Sequence, residues 1–428
     1  MILILLLSLA FAGLVVVGLP IAFSMIVATT LAIWAGGQIP MVTIAQRLGS
    51  GVENFTYLAI PLFILAGAIM EESGISLRLV NLARVLVGHI RGGLGMVVVV
   101  SEIFFSGISG SSLADASAIG SLMFPSLRDS GYHPARATAI IAASCAMGIL
   151  IPPCLTMVIL GALAGVSVSA LFIAGFLPGF LMGLALMILI YFQARKGRVP
   201  GGGARVSWAE TWRAFKASIL PLLMPVIIFG GILGGVFSPT EASAVAALYA
   251  TVLGMFVYRK ITWRKMVDIF VQTTVVTGAI GLILGAAAAF AWLLALQGLP
   301  AAVAGAVTGL STNPVVFLVG ANLIFMFFGA VLDGIPALIL FVPILMPVSN
   351  ALGIDPLHFT LLSVASLGIG LIIPPVGIML LVICSITRTP VGEVAQAMVS
   401  YLLILAVCLL VIIAVPWFVL VLPRALGF

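Results

Sequence analysis

Long apolar runs separated by short polar interruptions fill almost the whole chain. Many runs reach about 18 residues or more, and a helix needs about 20 such residues to cross the hydrocarbon core of a bilayer. Glycine and proline interrupt several runs where no charged loop is present, which indicates breaks inside apolar segments. The pattern predicts an all-α polytopic membrane protein with roughly ten spans.

The predicted elements fall into two halves, residues 1–195 and 217–428, joined by a cytoplasmic linker over 196–216. Each half has spans, an interfacial arm helix, a helical hairpin, a broken helix and a last span. In the first half these are scaffold spans over 2–73, an arm over 74–92, a hairpin over 94–127, a broken helix over 135–165 and a span over 170–192. In the second they are spans over 217–296, an arm over 299–311, a hairpin over 314–350, a broken helix over 357–387 and a span over 395–420.

The spacing of marker residues supports an internal duplication. Aspartate, glycine and proline recur in both halves with nearly constant offsets. The matching positions are Asp115, Pro125, Gly131, Pro134 and Pro152-Pro153 in the first half, and Asp333, Pro343, Gly353, Pro356 and Pro374-Pro375 in the second. Each half has an odd number of predicted crossings, so the second copy is expected to be inverted.

Charge gives the predicted orientation. Basic residues flank both ends of the first hairpin, at Arg91, Arg128 and Arg136, whereas no Lys or Arg occurs from 269 to 387. By the positive-inside rule, the first hairpin enters from the cytoplasm and the second from outside. Both termini are then periplasmic, and the first apolar run, which lacks a basic start, is expected to be a span rather than a cleaved signal peptide.

Composition supports the membrane class. The chain is 63% hydrophobic and 7% charged, whereas soluble proteins carry about 25% charged residues. The net charge of +6 comes from basic loops, so it indicates orientation and not a nucleic-acid partner. The four cysteines lie in apolar segments without metal or disulfide spacing, and no nucleotide-binding motif is present.

Candidate chemistry concentrates at the hairpin tips and the proline breaks. The stretch from Gly107 to Asp115, GISGSSLAD, is a polar island inside apolar sequence. Non-helical backbone persists in a membrane only where it lines a cavity or is buried in protein, so carbonyl and hydroxyl oxygens here are candidate Na⁺ ligands. The alternative is that glycine and serine only allow close helix packing.

The breaks at Pro152 and Pro374 extend this prediction, because proline frees carbonyls in the preceding turn. Asp115 and Asp333 follow the two tips and are expected either to ligate ions or to cap and support the tips. The predicted substrate-binding residues are Ser109, Ser111, Ser112 and Thr156. The predicted Na⁺ residues, for at least two sites, are Gly107, Ser109, Gly110, Ser112, Asp115, Gly148, Pro152, Gly329, Asp333, Gly334, Gly370 and Pro374.

Two acidic residues receive other interpretations. Glu102 lies on the first hairpin arm, has no counterpart in the second half and is assigned no role. Glu241 lies in Ser238-Pro239-Thr240-Glu241, which predicts a helix start with a capping box.

These residues resemble a known family, the large membrane subunit of tripartite ATP-independent periplasmic (TRAP) transporters. The similar segments are GHIRGGLGMVVV at 88–99, SGISGSSLADASAIGSLMFPSLRDSGY at 106–132, ILIPPCL at 149–155, SPTEASAVAALYA at 238–250, and LDGIPALILFVPILMPV, IDPLHF and IIPPVG in the second half.

The resemblance implies an elevator-type, Na⁺-coupled importer of organic acids in the bacterial cytoplasmic membrane. It implies two partners, a small four-helix membrane subunit and a soluble periplasmic binding protein. Ser109, Ser111, Ser112, Asp115 and Asp333 carry over as tip residues. The chain departs from the family pattern at Cys154, Ile373 and Ser366, where side-chain oxygens or an amide are common, so the second Na⁺ site is expected to depend more on backbone carbonyls.

Other classes stay open at this point. A stand-alone divalent-anion/Na⁺ symporter of similar inverted architecture would transport substrate without a binding protein. A channel would conduct unitary currents, and a membrane enzyme would need a nucleophile or metal cluster, which the sequence does not contain.

Overall fold

The computed structural model describes residues 2–203, 206–332 and 334–428, so Asp333 lies outside the described residues. Within those ranges the chain forms twenty α-helices and no β-strand. Eight helical segments in the described ranges are long and apolar enough to cross a membrane. They are Phe55–Glu72, Val168–Arg195, Trp208–Leu233, Pro239–Val257, Trp263–Leu296, Pro314–Val331, Gly334–Ala351 and Val391–Ala414. The chain is therefore an all-helical, multi-pass membrane protein.

Ten helices precede the linker. They are α1 (Ile2–Val16), α2 (Ile21–Gly36), α3 (Val42–Ser50), α4 (Ala59–Glu72), α5 (Ile75–Val87), α6 (Gly93–Ser109), α7 (Ser112–Asp129), α8 (Pro134–Gly148), α9 (Leu155–Ala164) and α10 (Val168–Arg195). Helix α3 is absent from the sequence prediction, because it is nine residues long and buries only Ile44. The predicted first hairpin corresponds in position to α6 and α7, and the predicted broken helix to α8 and α9.

Ten helices follow the linker. They are α11 (Trp208–Leu233), α12 (Pro239–Val252), α13 (Trp263–Leu296), α14 (Leu299–Leu310), α15 (Pro314–Val331), α16 (Gly334–Ala351), α17 (Pro356–Gly370), α18 (Ile378–Thr387), α19 (Val391–Ala414) and α20 (Trp417–Ala425). The second predicted hairpin corresponds to α15 and α16, and the second broken helix to α17 and α18.

Two predicted boundaries are wrong for local reasons. The linker over 196–216 is too long, because Ser207 and Glu210 form a capping box that starts α11 at Trp208. The last span over 395–420 is not one helix, because α19 ends at Ala414 and α20 begins after Pro416. Proline disfavours helical geometry in the residue before it. The capping box predicted at Ser238 and Glu241 is confirmed, with each side chain bonded to the other residue's backbone N–H.

The broken helices form the centre of the molecule. Every residue of α17 from Leu357 to Gly370 is buried, as is nearly all of α8. The two helices cross with their backbones in contact near their C-terminal ends. A Cβ atom added at Gly368 would lie 2.5 Å from the carbonyl oxygen of Ala146. Both breaks are therefore brought close together in the protein interior.

Polar contacts at one end of the molecule join the two halves. Near the start of α8, the Thr138 hydroxyl lies 3.0 Å from the hydroxyl of Thr387, the last residue of α18, and 3.3 Å from that of Thr389. At the same end of α8, the Tyr132 hydroxyl accepts a hydrogen bond from the Gly95 N–H at 3.1 Å. This bond brings together the start of α6 and the end of α7.

The first arm helix, α5, packs along α11. Its buried residues include Ile75, Leu79 and Ala83, which lie on one face. Ser218 on α11 donates a hydrogen bond to the Arg78 carbonyl at 3.1 Å, and the Arg78 guanidinium lies 4.1 Å from the centre of the Tyr258 ring. The arm thus has one apolar face and a basic edge held against α11 and against Tyr258, which follows α12.

Candidate functional site

The first hairpin has a tight tip, because only Gly110 and Ser111 separate α6 from α7. Gly110 has a φ of +68°, a conformation that glycine adopts without the steric cost a Cβ atom brings. Its N–H donates to the Ser106 carbonyl at 3.4 Å, and the Asp115 N–H donates to the Ser111 carbonyl at 2.9 Å. The turn therefore ends one helix and starts the next within two residues.

The tip rests on the first proline break. The Leu155 N–H, at the start of α9, donates to the Gly110 carbonyl at 3.1 Å. A Cβ atom added at Gly107 would lie 3.5 Å from the Pro152 oxygen, and one at Gly110 would lie 3.2 Å from the Pro153 oxygen. Carbonyl oxygens of the break thus lie directly beside the glycines of the tip.

The three serines of the tip have different environments. Ser109 is buried, and its hydroxyl accepts a hydrogen bond from the Ser111 N–H at 3.2 Å. Ser111 and Ser112 are only half-buried. Ser109 is therefore engaged in closing the turn, whereas Ser111 and Ser112 are available from the neighbouring cavity.

A small cavity of about 60 Å³ lies between both tips and both broken helices. It brings together five of the predicted site residues, Gly110, Ser111, Ser112, Thr156 and Gly334. The remaining lining is apolar and consists of Leu113, Ile149, Leu155, Ile335, Leu367 and Leu371. The other described candidates do not line it, namely Gly107, Ser109, Asp115, Gly148, Pro152, Gly329, Gly370 and Pro374.

Three helices begin at this cavity. Ser112 is the first residue of α7, Leu155 and Thr156 begin α9, and Gly334 is the first residue of α16. The N-terminus of a helix carries partial positive charge and free backbone N–H groups, so it favours anions. The cavity therefore combines anion-favouring helix ends with the hydroxyl groups of Ser112 and Thr156.

The second tip packs differently. A Cβ atom added at Gly329 would lie 3.3 Å from the Leu367 carbonyl oxygen, and one at Gly370 would lie 2.6 Å from that of Met326. The first break is buried throughout, but Pro374 is half-buried and Pro375 is exposed. The second hairpin thus contacts α17 before its break, and part of the break itself is accessible.

The carbonyl groups that precede the proline breaks, which the sequence predicts as Na⁺ ligands, already accept one hydrogen bond each. The Gly148 carbonyl accepts a hydrogen bond from the Ile151 N–H at 2.8 Å, and the Gly370 carbonyl accepts one from Ile373 at 3.0 Å. Each carbonyl oxygen has a second lone pair. Both atoms are therefore able to accept one more contact.

Sequence reasoning assigned no role to Glu102, which the structure places in a buried polar cluster with Asp115. The Ser106 hydroxyl lies 2.8 Å from Glu102 Oε1 and 2.9 Å from Asp115 Oδ2. The Cys145 thiol donates to Glu102 Oε2 at 3.5 Å. The spacing of Glu102 and Ser106, four residues apart on one helix, is the signal that indicates their contact.

Asn322 is a second residue that the sequence reasoning missed. It is buried on α15, where its amide donates to the Leu318 carbonyl at 2.6 Å and its Oδ1 accepts a hydrogen bond from Ser366. Ser366 itself departs from the expected pattern of the second half. The pair shows that this position is still polar and hydrogen-bonded between α15 and α17.

The donor set of the central region is chemically uniform. Hydroxyl, carboxylate and carbonyl oxygens predominate, and no group of three His, Cys, Asp or Glu suited to a metal ion occurs among the described residues. Hard oxygen donors of this kind suit Na⁺ better than transition metals.

Comparison with known proteins gives the family. The family described as "Tripartite ATP-independent periplasmic transporter, DctM component" matches residues 8–418. The chain is 38% identical over 412 residues to the sialic acid TRAP transporter large permease protein SiaM of Vibrio cholerae, covering 96% of each chain. It is 38% identical over 385 residues to the C4-dicarboxylate TRAP transporter large permease protein DctM of Pseudomonas aeruginosa, covering 90% of each.

A solved structure shares the fold. It is that of Neisseria gonorrhoeae MtrF, from a class of antimetabolite efflux pumps, with a TM-score of 0.67 and 16% identity over 95% of this chain and 96% of that one. At this identity the likeness extends to the fold alone. Because the family match spans almost the whole chain and the relatives align over nearly their full length, the chain belongs to the DctM family of TRAP transporter large permeases.

Proposed function

We propose that this permease imports an organic acid across the bacterial cytoplasmic membrane, coupled to Na⁺ and dependent on a periplasmic binding protein. The observation that carries the proposal is the central cavity, where the N-terminal ends of α7 and α9 meet between the two hairpins. Ser112 and Thr156 offer hydroxyl groups there. Helix N-termini with hydroxyls favour a carboxylate group over a neutral one.

The size of the cavity defines what the site holds in this conformation. Ligand pockets usually measure about 300–1000 Å³, and this cavity is about 60 Å³. It accommodates a carboxylate group, and the remainder of a sugar acid or dicarboxylate requires the hairpins to open. The relatives carry sialic acid and C4-dicarboxylates in their names, which supports a carboxylate as substrate.

The residues around the first tip fit a Na⁺ ion. Its donors would be the Ser109 and Ser112 hydroxyls and the carbonyls near Gly107, Gly110, Gly148 and Pro152, with Asp115 nearby. The buried Asp115 Oδ1 has no hydrogen-bond partner, which supports a cation at this level. A second site would use carbonyls around Gly329, Gly334, Gly370 and Pro374, with Asp333. Bound Na⁺ would supply positive charge that holds the tips closed and attracts the substrate carboxylate.

Inverted repeats and an elevator motion complete the proposal. The first broken helix begins, at α8, beside the point where the second one ends, at α18, which supports opposite orientation of the two copies. The hairpins and broken helices would move as one body against the remaining spans. Gly67 on α4 packs directly against the Ser109 backbone, since a Cβ atom added at Gly67 would lie 2.6 Å from the Ser109 carbonyl oxygen. A contact without a side chain between the two backbones supports an interface along which the hairpin can slide.

The partners follow from the same proposal. A small four-helix membrane subunit would enlarge the scaffold, and a periplasmic binding protein would deliver substrate. Large apolar side chains exposed along α11 and α13, such as Val226, Phe270 and Val275, support contact with lipid or that subunit. Both termini would be periplasmic.

Reconstitution in proteoliposomes tests the proposal. Proteoliposomes contain the full chain together with the small subunit encoded near it in the genome, and the binding protein is added outside. They should accumulate radiolabelled carboxylate only when an inward Na⁺ gradient is applied. A K⁺ gradient of equal size is the control. Uptake without the binding protein would favour a stand-alone symporter, and uptake without Na⁺ would exclude Na⁺ coupling.

A further inference from the structure

Two carboxylates share one hydroxyl group below the first tip. The Ser106 Oγ atom lies within hydrogen-bond distance of both Glu102 and Asp115, at 2.8 and 2.9 Å. A serine hydroxyl has one hydrogen and donates it to one acceptor at a time. One of the two oxygen–oxygen contacts therefore lacks a hydrogen from Ser106, so either a proton on one carboxyl group or a nearby cation has to complete the cluster.

Among the residues that the structure describes, no basic side chain lies close enough to supply a cation. Glu102 is 0% exposed and Asp115 is 1% exposed. Within the described ranges, neither carboxylate lies within 4.0 Å of a basic side-chain nitrogen. Asp115 Oδ1 is buried without a hydrogen-bond partner. Buried ionised carboxylates are costly unless a counter-charge or ligand compensates them.

The end of α8 makes the local potential at Glu102 still more negative. Gly148, the last residue of α8, leaves space that Glu102 Oε1 and Ser106 Oγ fill, because an added Cβ atom would collide with both. The C-terminal end of a helix carries partial negative charge. The Glu102 carboxylate therefore faces a second source of negative potential, which favours a cation at this point.

The second hairpin shows that acidic groups are not needed for packing here. On its first arm, Asn322 contacts Ser366 of the neighbouring broken helix, and both are neutral. The first half has Glu102 against Cys145 in the comparable contact between α6 and α8. A neutral pair thus packs the second hairpin against its broken helix, so a contact of this kind does not require an acidic side chain.

We propose that Glu102 and Asp115 together bind one Na⁺ ion beneath the first tip, with the Ser106 hydroxyl between them. This inference rests on the proposed Na⁺ coupling and adds Glu102 as a ligand. Oxygen donors from α6 and α7, packed against the end of α8, would then hold three helices together when the ion is present. Binding of the ion would stabilise the closed tip against which the substrate carboxylate is bound.

The test compares Na⁺ binding by the wild type and by Glu102→Gln, each as the full chain with its small subunit in nanodiscs. Thermal unfolding is followed as NaCl replaces choline chloride at constant ionic strength, and bound radiolabelled Na⁺ is counted. The Na⁺ midpoint of Glu102→Gln should rise about tenfold or more, with one ion fewer bound. Ser101→Ala is the matched control, since Ser101 is a neighbour on α6 that is 1% exposed and whose hydroxyl has no partner.

The proposal would be overturned if Glu102→Gln kept the wild-type Na⁺ midpoint and the wild-type number of bound Na⁺ ions. It would also be overturned if only the pH dependence of the melting temperature changed, because that result would assign a proton to the pair. A wild type without any Na⁺-dependent stabilisation would instead refute Na⁺ coupling itself. If Glu102→Gln does not fold, Asp115→Asn serves as the second variant, with the same loss of one ion expected.

Discussion

The Leu155 N–H donates a hydrogen bond to the Gly110 carbonyl oxygen at 3.1 Å, which ties the start of α9 to the tip of the first hairpin. Gly110 and Leu155 lie 45 positions apart in the chain, and the bond belongs to no helix. It places a helix N-terminus, a turn carbonyl and a serine-rich tip at one cavity. The geometry of this cavity thus depends on the backbone conformation of Gly110.

Gly110→Ala should lower Na⁺-dependent uptake about tenfold. An L-residue at positive φ costs about 1–2 kcal/mol, and every 1.4 kcal/mol is about tenfold in an equilibrium. The added Cβ would also lie 3.2 Å from the Pro153 oxygen. Uptake per folded protein and the Na⁺ midpoint are the measurements.

The control for that variant is Gly165→Ala. Gly165 has a similar φ of +67° but has no atom within 4 Å of an added Cβ. It should lose comparable stability and keep its Na⁺ midpoint. Equal effects of the two variants on the midpoint would contradict a specific role of the tip.

Serine substitutions should separate a structural from a binding role at the tip. Ser109→Ala leaves the half-buried Ser111 N–H without its acceptor, and loss of such a hydrogen bond costs about 1 kcal/mol, so the melting temperature should fall. Ser112→Ala should leave the melting temperature unchanged and raise the KM for the carboxylate. A normal melting temperature for Ser109→Ala would argue against its role in closing the turn.

Gly368→Ala should destabilise the centre of the protein. The new methyl group would lie 2.5 Å from the Ala146 carbonyl oxygen and 2.6 Å from the Ile149 Cγ2 atom, and the backbone of Ala146 cannot easily move away. Overpacking costs about 1–3 kcal/mol, so the yield of folded protein and its melting temperature should both drop. Gly320→Ala is the control, because an added Cβ there meets no atom within 4 Å.

Thr138→Val should weaken the contact between the two halves. Its hydroxyl reaches Thr387 and Thr389, and polar contacts between membrane helices contribute about 0.6 kcal/mol on average. Denaturation in mild detergent should show a small loss of stability. Thr274→Val should be nearly neutral by comparison, because the Thr274 hydroxyl donates to the Phe270 carbonyl of its own helix.

Ser238→Ala should cost about 1 kcal/mol, since it removes the N-cap of α12. Ser238→Asp should restore most of the loss, because aspartate caps helices equally well. Thermal unfolding of both variants checks the expectation. A loss of stability in Ser238→Asp as large as in Ser238→Ala would refute the capping role.

The helices, the tips and the breaks were predictable because local chemistry determines them. Glycine, proline and capping residues act within a few positions, as at Gly110 and Ser238. The same signal at Ser207 and Glu210 was readable but lay inside a stretch interpreted as linker.

Contacts between distant segments were not predictable from one sequence. Nothing local indicates that Ser106 lies between Glu102 and Asp115, because the third residue belongs to the next helix. The meeting of Thr138 with Thr387, 249 positions away, depends on the packing of the whole molecule. The small size of the central cavity has the same origin.

The two acidic side chains below the first tip also have an electrical consequence. From Gly93 to Leu127 the first hairpin contains Glu102 and Asp115 but no Lys or Arg. Moving one elementary charge across a membrane is worth about 2.3 kcal/mol per 100 mV. If the hairpin moves across the membrane as proposed and the pair is ionised when vacant, the empty hairpin responds to membrane voltage, and cation binding reduces that response. The resting potential of the cell would then bias the return of the empty carrier, and transport currents should depend on voltage.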